Sequence, residues 1–195
     1  MKIILIGDSI RMGYQPLVAA KLQGRAEICG PQDNGGDSRN VLAHLEDWVL
    51  RLPADVLHLN CGLHDLKFEN GRLQVPLEEY ARNVRAIVAR IVREFPGRFI
   101  WATTTPVIDE WHQKVKPFER HEDDVLRYNE AALSVMRAHK VPVNDLHRVI
   151  EQAGRETCLG PDGVHFNERG CALLAEAVAA AIMKAGGCTG AGPVA

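Results

Sequence analysis

The sequence predicts an α/β fold in which a parallel sheet is covered by helices on both faces. Three observations predict it. Ile3-Ile4-Leu5-Ile6 is an unbroken apolar run, three of its members β-branched, closed by Gly7; it reads as a strand buried on both faces. Short runs of this kind then alternate with longer stretches of helical period along the chain. No internal repeat or linker divides the 195 residues, so residues 1–185 are expected to form one domain, long enough to bury a core, with a disordered tail at 186–195.

Each element follows from local signals. After the first strand, Tyr14-Gln15-Pro16-Leu17 is expected to open a helix through about Leu22, with Pro16 in its first turn. Ala26–Cys29 is a short second strand, and residues 30–37 form a loop rich in Gly, Asn and Asp. Ser38 is expected to cap a helix carrying Val41, Leu42, Leu45, Trp48 and Val49, which Pro53 ends. Asp55–Leu59 is the third strand, with His58 inside it as a hydrogen-bonded core residue, and residues 66–75 are an exposed loop containing Asn70-Gly71. Pro76 opens a helix through Glu94 with Val84, Ile87, Val88, Ile91 and Val92 on one face; Pro96-Gly97 breaks it. Arg98–Thr103 is the fourth strand, followed by a long connection from about Val107 to Glu122 that leaves its carboxyl end. A helix over Asp123–His139 precedes a short edge strand at Val141–Asp145, where Pro142 is tolerable only at an edge. The last helix runs from Asn167 to about Ala185 and is closed by Gly186.

Bulk properties narrow the function. The chain is 46% hydrophobic and 25% charged, with a net charge of -2 and no run of five like charges, so nothing points to nucleic acid or an anionic membrane surface. No apolar run approaches the roughly 20 residues of a membrane span. One lysine before four apolar residues does not make a signal peptide, so a cytoplasmic protein is expected. Cys29, Cys61, Cys158, Cys171 and Cys188 show no Cys-x-x-Cys pair and are expected as reduced thiols, without a zinc or redox role. The oligomeric state is not legible.

Two stretches carry chemistry. Ser9 follows Gly7-Asp8 at the carboxyl end of the first strand, where ligands of open α/β sheets collect. It reads either as the N-cap of the next helix or as a hydroxyl presented to a cleft. Near the other end, Asp162 and His165 stand three apart in the Gly/Pro-rich turn Gly160–Asn167. They read either as a solvated turn or as a carboxylate that fixes the imidazole tautomer, leaving the far nitrogen to take a proton from a serine. Such chemistry needs a nucleophile, a base within about 3 Å and a group that orients the base.

Taken together, Gly7-Asp8-Ser9 and Asp162-Gly163-Val164-His165 resemble the GDSL-like, or SGNH, hydrolase family. Asn34-Gly35-Gly36-Asp37-Ser38 looks like its second block, whose glycine donates a backbone N–H. Asn60-Cys61-Gly62-Leu63-His64-Asp65 looks like its third block, normally Gly-x-Asn-Asp, with His64 at the asparagine position. The four blocks stand in the right order, and the likeness covers residues 1 to about 183. The resemblance implies a three-layer, flavodoxin-like fold with a five-stranded parallel sheet in the order 2-1-3-4-5. It also implies a carboxylic ester hydrolase with Ser9 as nucleophile, His165 as base and Asp162 as its orienter. The oxyanion would be held by the backbone N–H groups of Ser9 and Gly36 and by a donor from His64, with no cofactor or metal. Asp8 and Asp65 are expected to brace loops through backbone amides.

The pocket walls are expected from Arg11, Met12, Leu63, Phe68, Val107, Trp111, His112 and Phe166. Lacking a lid-like apolar segment, the chain is expected to take a short acyl ester, such as an acetylated carbohydrate, as its small-molecule partner. Two other readings stand beside this one. Asp8, His64, Asp65, Asp162 and His165 are plausible hard-metal ligands for a metal-dependent phosphoesterase, and Gly62–Asp65 resembles the Gly-Asn-His-Asp stretch of metallophosphoesterases. Against it, the first strand lacks Asp-x-His and no Gly-His-x-His follows. The other is a non-catalytic binding module on the same fold, with His64 in place of the oxyanion donor.

Overall fold

The computed structural model describes residues 1–187. Its strands are β1 Lys2–Ile6, β2 Glu27–Cys29, β3 Val56–Leu59, β4 Phe68–Glu69, β5 Arg72–Leu73, β6 Arg98–Ala102 and β7 Val143–Asn144. Five of them form an all-parallel sheet in the order β2-β1-β3-β6-β7, which is the expected 2-1-3-4-5 when the two strands outside the sheet are not counted. The helices are α1 Ser9–Lys21, α2 Ser38–Ala43, α3 Leu77–Glu94, α4 Asp109–Val115, α5 Glu122–His139, α6 Leu146–Ala153, α7 Arg155–Cys158 and α8 Glu168–Ala185. They pack in two groups, α1 with α8, α6 and α7, and α2 with α3 and α5, one on each side of the sheet.

The interior position of β1, between β2 and β3, shows why the first run is apolar throughout. Ile3 to Ile6 pair with Val56 to Leu59 on one side, and Ile3 and Ile4 with Ile28 and Cys29 on the other. Helices cover both faces, so all four side chains are fully buried. The core is continuous from Ile3 to Ile182.

Where the structure departs from the sequence reading, capping and short elements explain it. α1 begins at Ser9 rather than Tyr14, because the Asp8 side chain accepts the Ile10 N–H at 2.9 Å and starts the helix there; Pro16 consequently lies inside it. α2 is likewise capped by Asp37, not Ser38, and gives way to a π-helical turn at Glu46–Leu50 that keeps Val49 buried. The supposed loop at 66–75 holds a hairpin: β4 and β5 pair through Asn70 and Gly71, at φ +53° and +75°, the left-handed pair that a two-residue hairpin turn demands. The connection after β6 contains α4, and α6 and α7 fill a stretch for which no element was expected. β7 is two residues long, and Pro142 just before it accepts the Trp101 N–H with its carbonyl. Asn167 caps α8 through the Gly170 N–H, and Gly186 ends it. The expectation for the tail lies, from residue 188 on, outside the described residues.

His58 is a core residue of β3, as expected. Its Nε2 accepts from Asn144 Nδ2 at 3.1 Å, which puts the ring proton on Nδ1, where no partner meets it. Burial lowers its pKa to about 4. The unfolded chain therefore binds more protons than the folded one between pH 4 and the ordinary value near 6.5, so stability is lost as pH falls through that window. Asp65, which burial raises to about 7, acts with the opposite sign over much of the same range. Comparison with a variant cancels that contribution. Urea denaturation between pH 7 and pH 4 should show the parent losing about 3 kcal/mol more than His58→Gln; parallel curves would mean that His58 does not titrate with folding.

Candidate active site

The site lies at the carboxyl edge of the sheet. Gly7 ends β1 where a Cβ would stand 2.7 Å from Arg11 Cβ, so only glycine lets the helix leave the strand this tightly. Because Asp8 takes the cap, Ser9 is free of that duty and becomes the first residue of α1. Its Oγ stands 2.9 Å from His165 Nε2. Of the two readings of Ser9, the structure therefore excludes the cap.

The second half of the site is the turn after α7. Asp162 Oδ1 accepts the backbone N–H groups of Val164 and His165 at 3.1 and 2.9 Å, and Oδ2 meets His165 Nδ1 at 2.5 Å. Gly163, at φ +66°, lets this turn close: a Cβ there would lie 2.5 Å from Ile108 O. Burial pushes the Asp162 carboxyl up, but the bonds from the His165 ring and from the two amides outweigh it and hold it at about 2. An ionised carboxylate accepts only, so the proton of His165 sits on Nδ1 and Nε2 faces the serine as an acceptor. The His165 side chain is 49% exposed, so the pair is open to an incoming molecule.

The loops after β2 and β3 complete the edge. Gly35 N–H bonds Gly7 O at 3.0 Å, and Arg11 Nη2 reaches Asp33 O at 2.8 Å, which lashes the second block to the Ser9 turn. Gly36 adopts φ +66° and its N–H donates to Asn34 Oδ1 at 2.8 Å. Asp65 accepts the Ser38 N–H with both oxygens at 3.0 Å, which is the bracing role expected of it. His64 is half-buried, and its ring makes no hydrogen bond among the described residues. Burial lowers its pKa; Asp8 and Asp37 pull it up, while Arg120 and His165 push it down. Asn60, the other amide in the third block, spends its side chain on Ala102 O at 2.9 Å.

The expected walls divide by burial. Met12 is exposed, and Phe68, Trp111 and Phe166 are half-buried. Leu63 is buried beside the Ser9 turn, against a small cavity it shares with Asp8 and Ile10. Arg11 lines the same cavity but is buried, with Nη1 and Nη2 engaged by Gln15 Oε1 and Asp33 O. Val107 and His112 are buried too, and the His112 ring is engaged with Asp162 O and Arg120. One residue went unnoticed. Arg120 is 6% exposed and donates its Nε–H to Leu63 O at 2.9 Å, directly before His64. Nothing in the sequence signals it beyond a single arginine among Trp111, His112 and Phe118.

The five side chains named as metal ligands do not converge. Among the described residues, the group of such donors brought within 4.8 Å of one another is Glu122, His147 and Glu151. Arg155 already lies on it, with Nε 2.7 Å from Glu151 Oε1 and Nη1 3.4 Å from Glu122 Oε2. No helix among the described residues is long and apolar enough to cross a membrane.

The chain is similar to known proteins in sequence and in fold. The model of the GDSL-like Lipase/Acylhydrolase family matches residues 5–173. A GDSL esterase/lipase of Arabidopsis thaliana is 29% identical over 127 residues, 60% of this chain and 52% of that protein, so the match spans about half the length of the relative. The crystal structure of a lipase/acylhydrolase from Enterococcus faecalis superposes with a TM-score of 0.79 at 22% identity, covering 94% of this chain and 95% of that one. An acetyl xylan esterase superposes with a TM-score of 0.74 at 21% identity, covering 93% and 100%. At these identities the two structures speak for the fold alone.

Asp162→Asn tests the orientation of His165. The amide can offer its N–H to Nδ1, which moves the ring proton to Nε2 and removes the acceptor that faces Ser9. Any ester turnover should fall by about 10⁴-fold at neutral pH while the melting temperature changes little. Turnover within a factor of about ten of the parent would show that Asp162 does not set the tautomer.

Proposed function

We propose, from the premise that the chain belongs to the GDSL-like lipase/acylhydrolase family, that it hydrolyses short acyl esters through an acyl-enzyme on Ser9. The observation that carries this reading is the chain of bonds Ser9 Oγ to His165 Nε2 at 2.9 Å and His165 Nδ1 to Asp162 Oδ2 at 2.5 Å. Ser9 Oγ attacks the ester carbonyl as His165 Nε2 takes its proton, and the ionised Asp162 stabilises the imidazolium that forms. The oxyanion forms at the N-terminus of α1, where the Ser9 N–H and the positive end of the helix dipole favour negative charge. Gly36 supplies a second N–H by exchanging its exposed partner Asn34 Oδ1 for the oxyanion, and His64 supplies a third from its ring. The imidazolium then protonates the leaving alcohol, and water, activated by the same Nε2, releases the acid and regenerates Ser9.

The size of the acyl group is supported by the cavity beside the nucleophile. It lies behind the Ser9 turn, lined by Asp8, Ile10, Arg11, Leu63, Thr105 and Leu146 among others and not by Ser9 or His165 themselves, and measures about 10 Å³, room for about one water molecule. An acetyl methyl is of that size, whereas a fatty acyl chain is not. On the other side His165 opens to solvent, which suits a bulky alcohol such as a sugar. An acetylated carbohydrate is therefore the substrate class, in keeping with the acetyl xylan esterase among the similar structures.

A p-nitrophenyl ester series tests this. kcat/KM should fall at least about tenfold from acetate to octanoate, and Ser9→Ala should lose at least about 10⁴-fold, both unchanged by a chelator. Octanoate cleaved as well as acetate would sink the short-acyl assignment. Activity that vanishes in chelator and returns with a divalent cation would restore the metal reading, and a burst without turnover would favour a binding module. His64→Asn should stay active because it restores an amide donor, whereas His64→Ala should lose roughly 10- to 1000-fold in turnover. An alanine variant equal to the parent at every pH would remove His64 from the oxyanion site.

A further inference from the structure

We propose that Arg120 is the positioning residue of this site, tying the turn that presents His64 to the turn that carries Asp162 and His165 through a buried bridge made with His112. Arg120 stands on the segment between α4 and α5, and among the described residues no carboxylate lies within ion-pair distance of it. A guanidinium buried without a partner is costly, and a surface position was open to it unless its hydrogen bonds are needed where they are.

Those bonds have a fixed direction. Arginine has donors only, so Nε donates to Leu63 O at 2.9 Å and Nη1 donates to His112 Nε2 at 3.4 Å. His112 Nε2 is then the acceptor, the ring proton sits on Nδ1, and Nδ1 donates to Asp162 O at 3.2 Å. One end of the bridge is the carbonyl directly before His64, and the other is the carbonyl of the residue that orients His165. The ring of Phe118 covers the bridge: its centroid is 5.0 Å from the Arg120 guanidinium and 5.2 Å, edge-on, from the His112 ring. The segment itself is pinned by two backbone bonds of 2.9 Å between Glu119 and Phe68 of β4.

Electrostatics agree with the geometry. Burial holds His112 below its ordinary value; the bond to Asp162 O and the Asp162 charge oppose this, while Arg120 and Lys116 add to it. Around His64 stand Asp8 and Asp37 on one side of the balance and Arg120 and His165 on the other. Arg120 thus opposes the two carboxylates that would protonate His64, and a neutral His64 leaves His165 free to act as a base. This role rests on the reading of Ser9, His165 and His64 given above.

Two measurements test it, and the first needs no substrate. Nitrogen-15 NMR of the full chain, with His112 assigned through His112→Asn, should show a neutral ring protonated on Nδ1 at neutral pH. A proton on Nε2 would overturn the bridge whatever the fate of Ser9. The second is kinetic, on p-nitrophenyl acetate. Arg120→Met should lower kcat by about 10- to 100-fold with KM changed less than about threefold, and His112→Phe, which keeps the ring volume, should do the same. In a His64→Ala background, Arg120→Met should cost less than about threefold more. Losses that multiply in full, that fall in KM alone, or that are absent in a folded Arg120→Met would each overturn the proposal. If Arg120→Met fails to fold, the His112→Phe pair and the tautomer decide it.

Discussion

Asp8 is buried just past the end of β1, and one of its oxygens accepts the Ile10 N–H. Much of the molecule's chemistry hangs on that bond. It starts α1 one residue after the strand's exit, so Ser9 stands in the first turn with its hydroxyl unspent. It also aims the positive end of a thirteen-residue helix at the place where an ester carbonyl would gain charge. The other oxygen, buried with no hydrogen-bond partner, leaves a negative charge whose influence reaches His64, Arg11 and Arg120. Were Ser9 itself the cap, its hydroxyl would be spent on the helix instead of facing His165.

The price of such an edge is a set of charged groups withdrawn from water: Asp8, Arg11, Asp65 and Arg120 are all buried. Asp8 caps its own helix, and the other three are held mainly by backbone groups of a neighbouring segment. Arg11 holds Asp33 O, Asp65 holds the Ser38 N–H, and Arg120 holds Leu63 O. The polar groups that make the edge costly are the same ones that fix three loops against one another, and the apolar core below them offsets the cost.

What the sequence could disclose follows the length over which each signal repeats. β1 was legible because four apolar residues in a row admit little else, whereas the strand order came only with the family resemblance and not from spacing. Ser9, Asp162 and His165 were legible as a set, although each alone admitted a plainer reading. The cap of α2 was misplaced by one residue: in Asp37-Ser38, as in Asp8-Ser9, both residues are good caps, and the aspartate took the role each time. The Asn70-Gly71 hairpin was missed because strands of two residues fall below any periodic window, although its turn dipeptide was in plain view. α6 and α7 are eight and four residues long and suffered for the same reason. The burial of Arg11, expected as a pocket wall, and of Arg120 could not be foreseen, since the burial of an arginine is decided by loops far away in sequence.

Covalent trapping distinguishes a nucleophilic Ser9 from a serine that merely sits near a histidine. The protein is treated with an organophosphonate carrying a small alkyl group, and the adduct is located by peptide mass spectrometry as a function of time. Ser9 should carry one adduct per chain, formed in step with loss of ester hydrolysis and greatly slowed in His165→Ala. An adduct on another residue, or complete modification of Ser9 with hydrolysis intact, would contradict the mechanism.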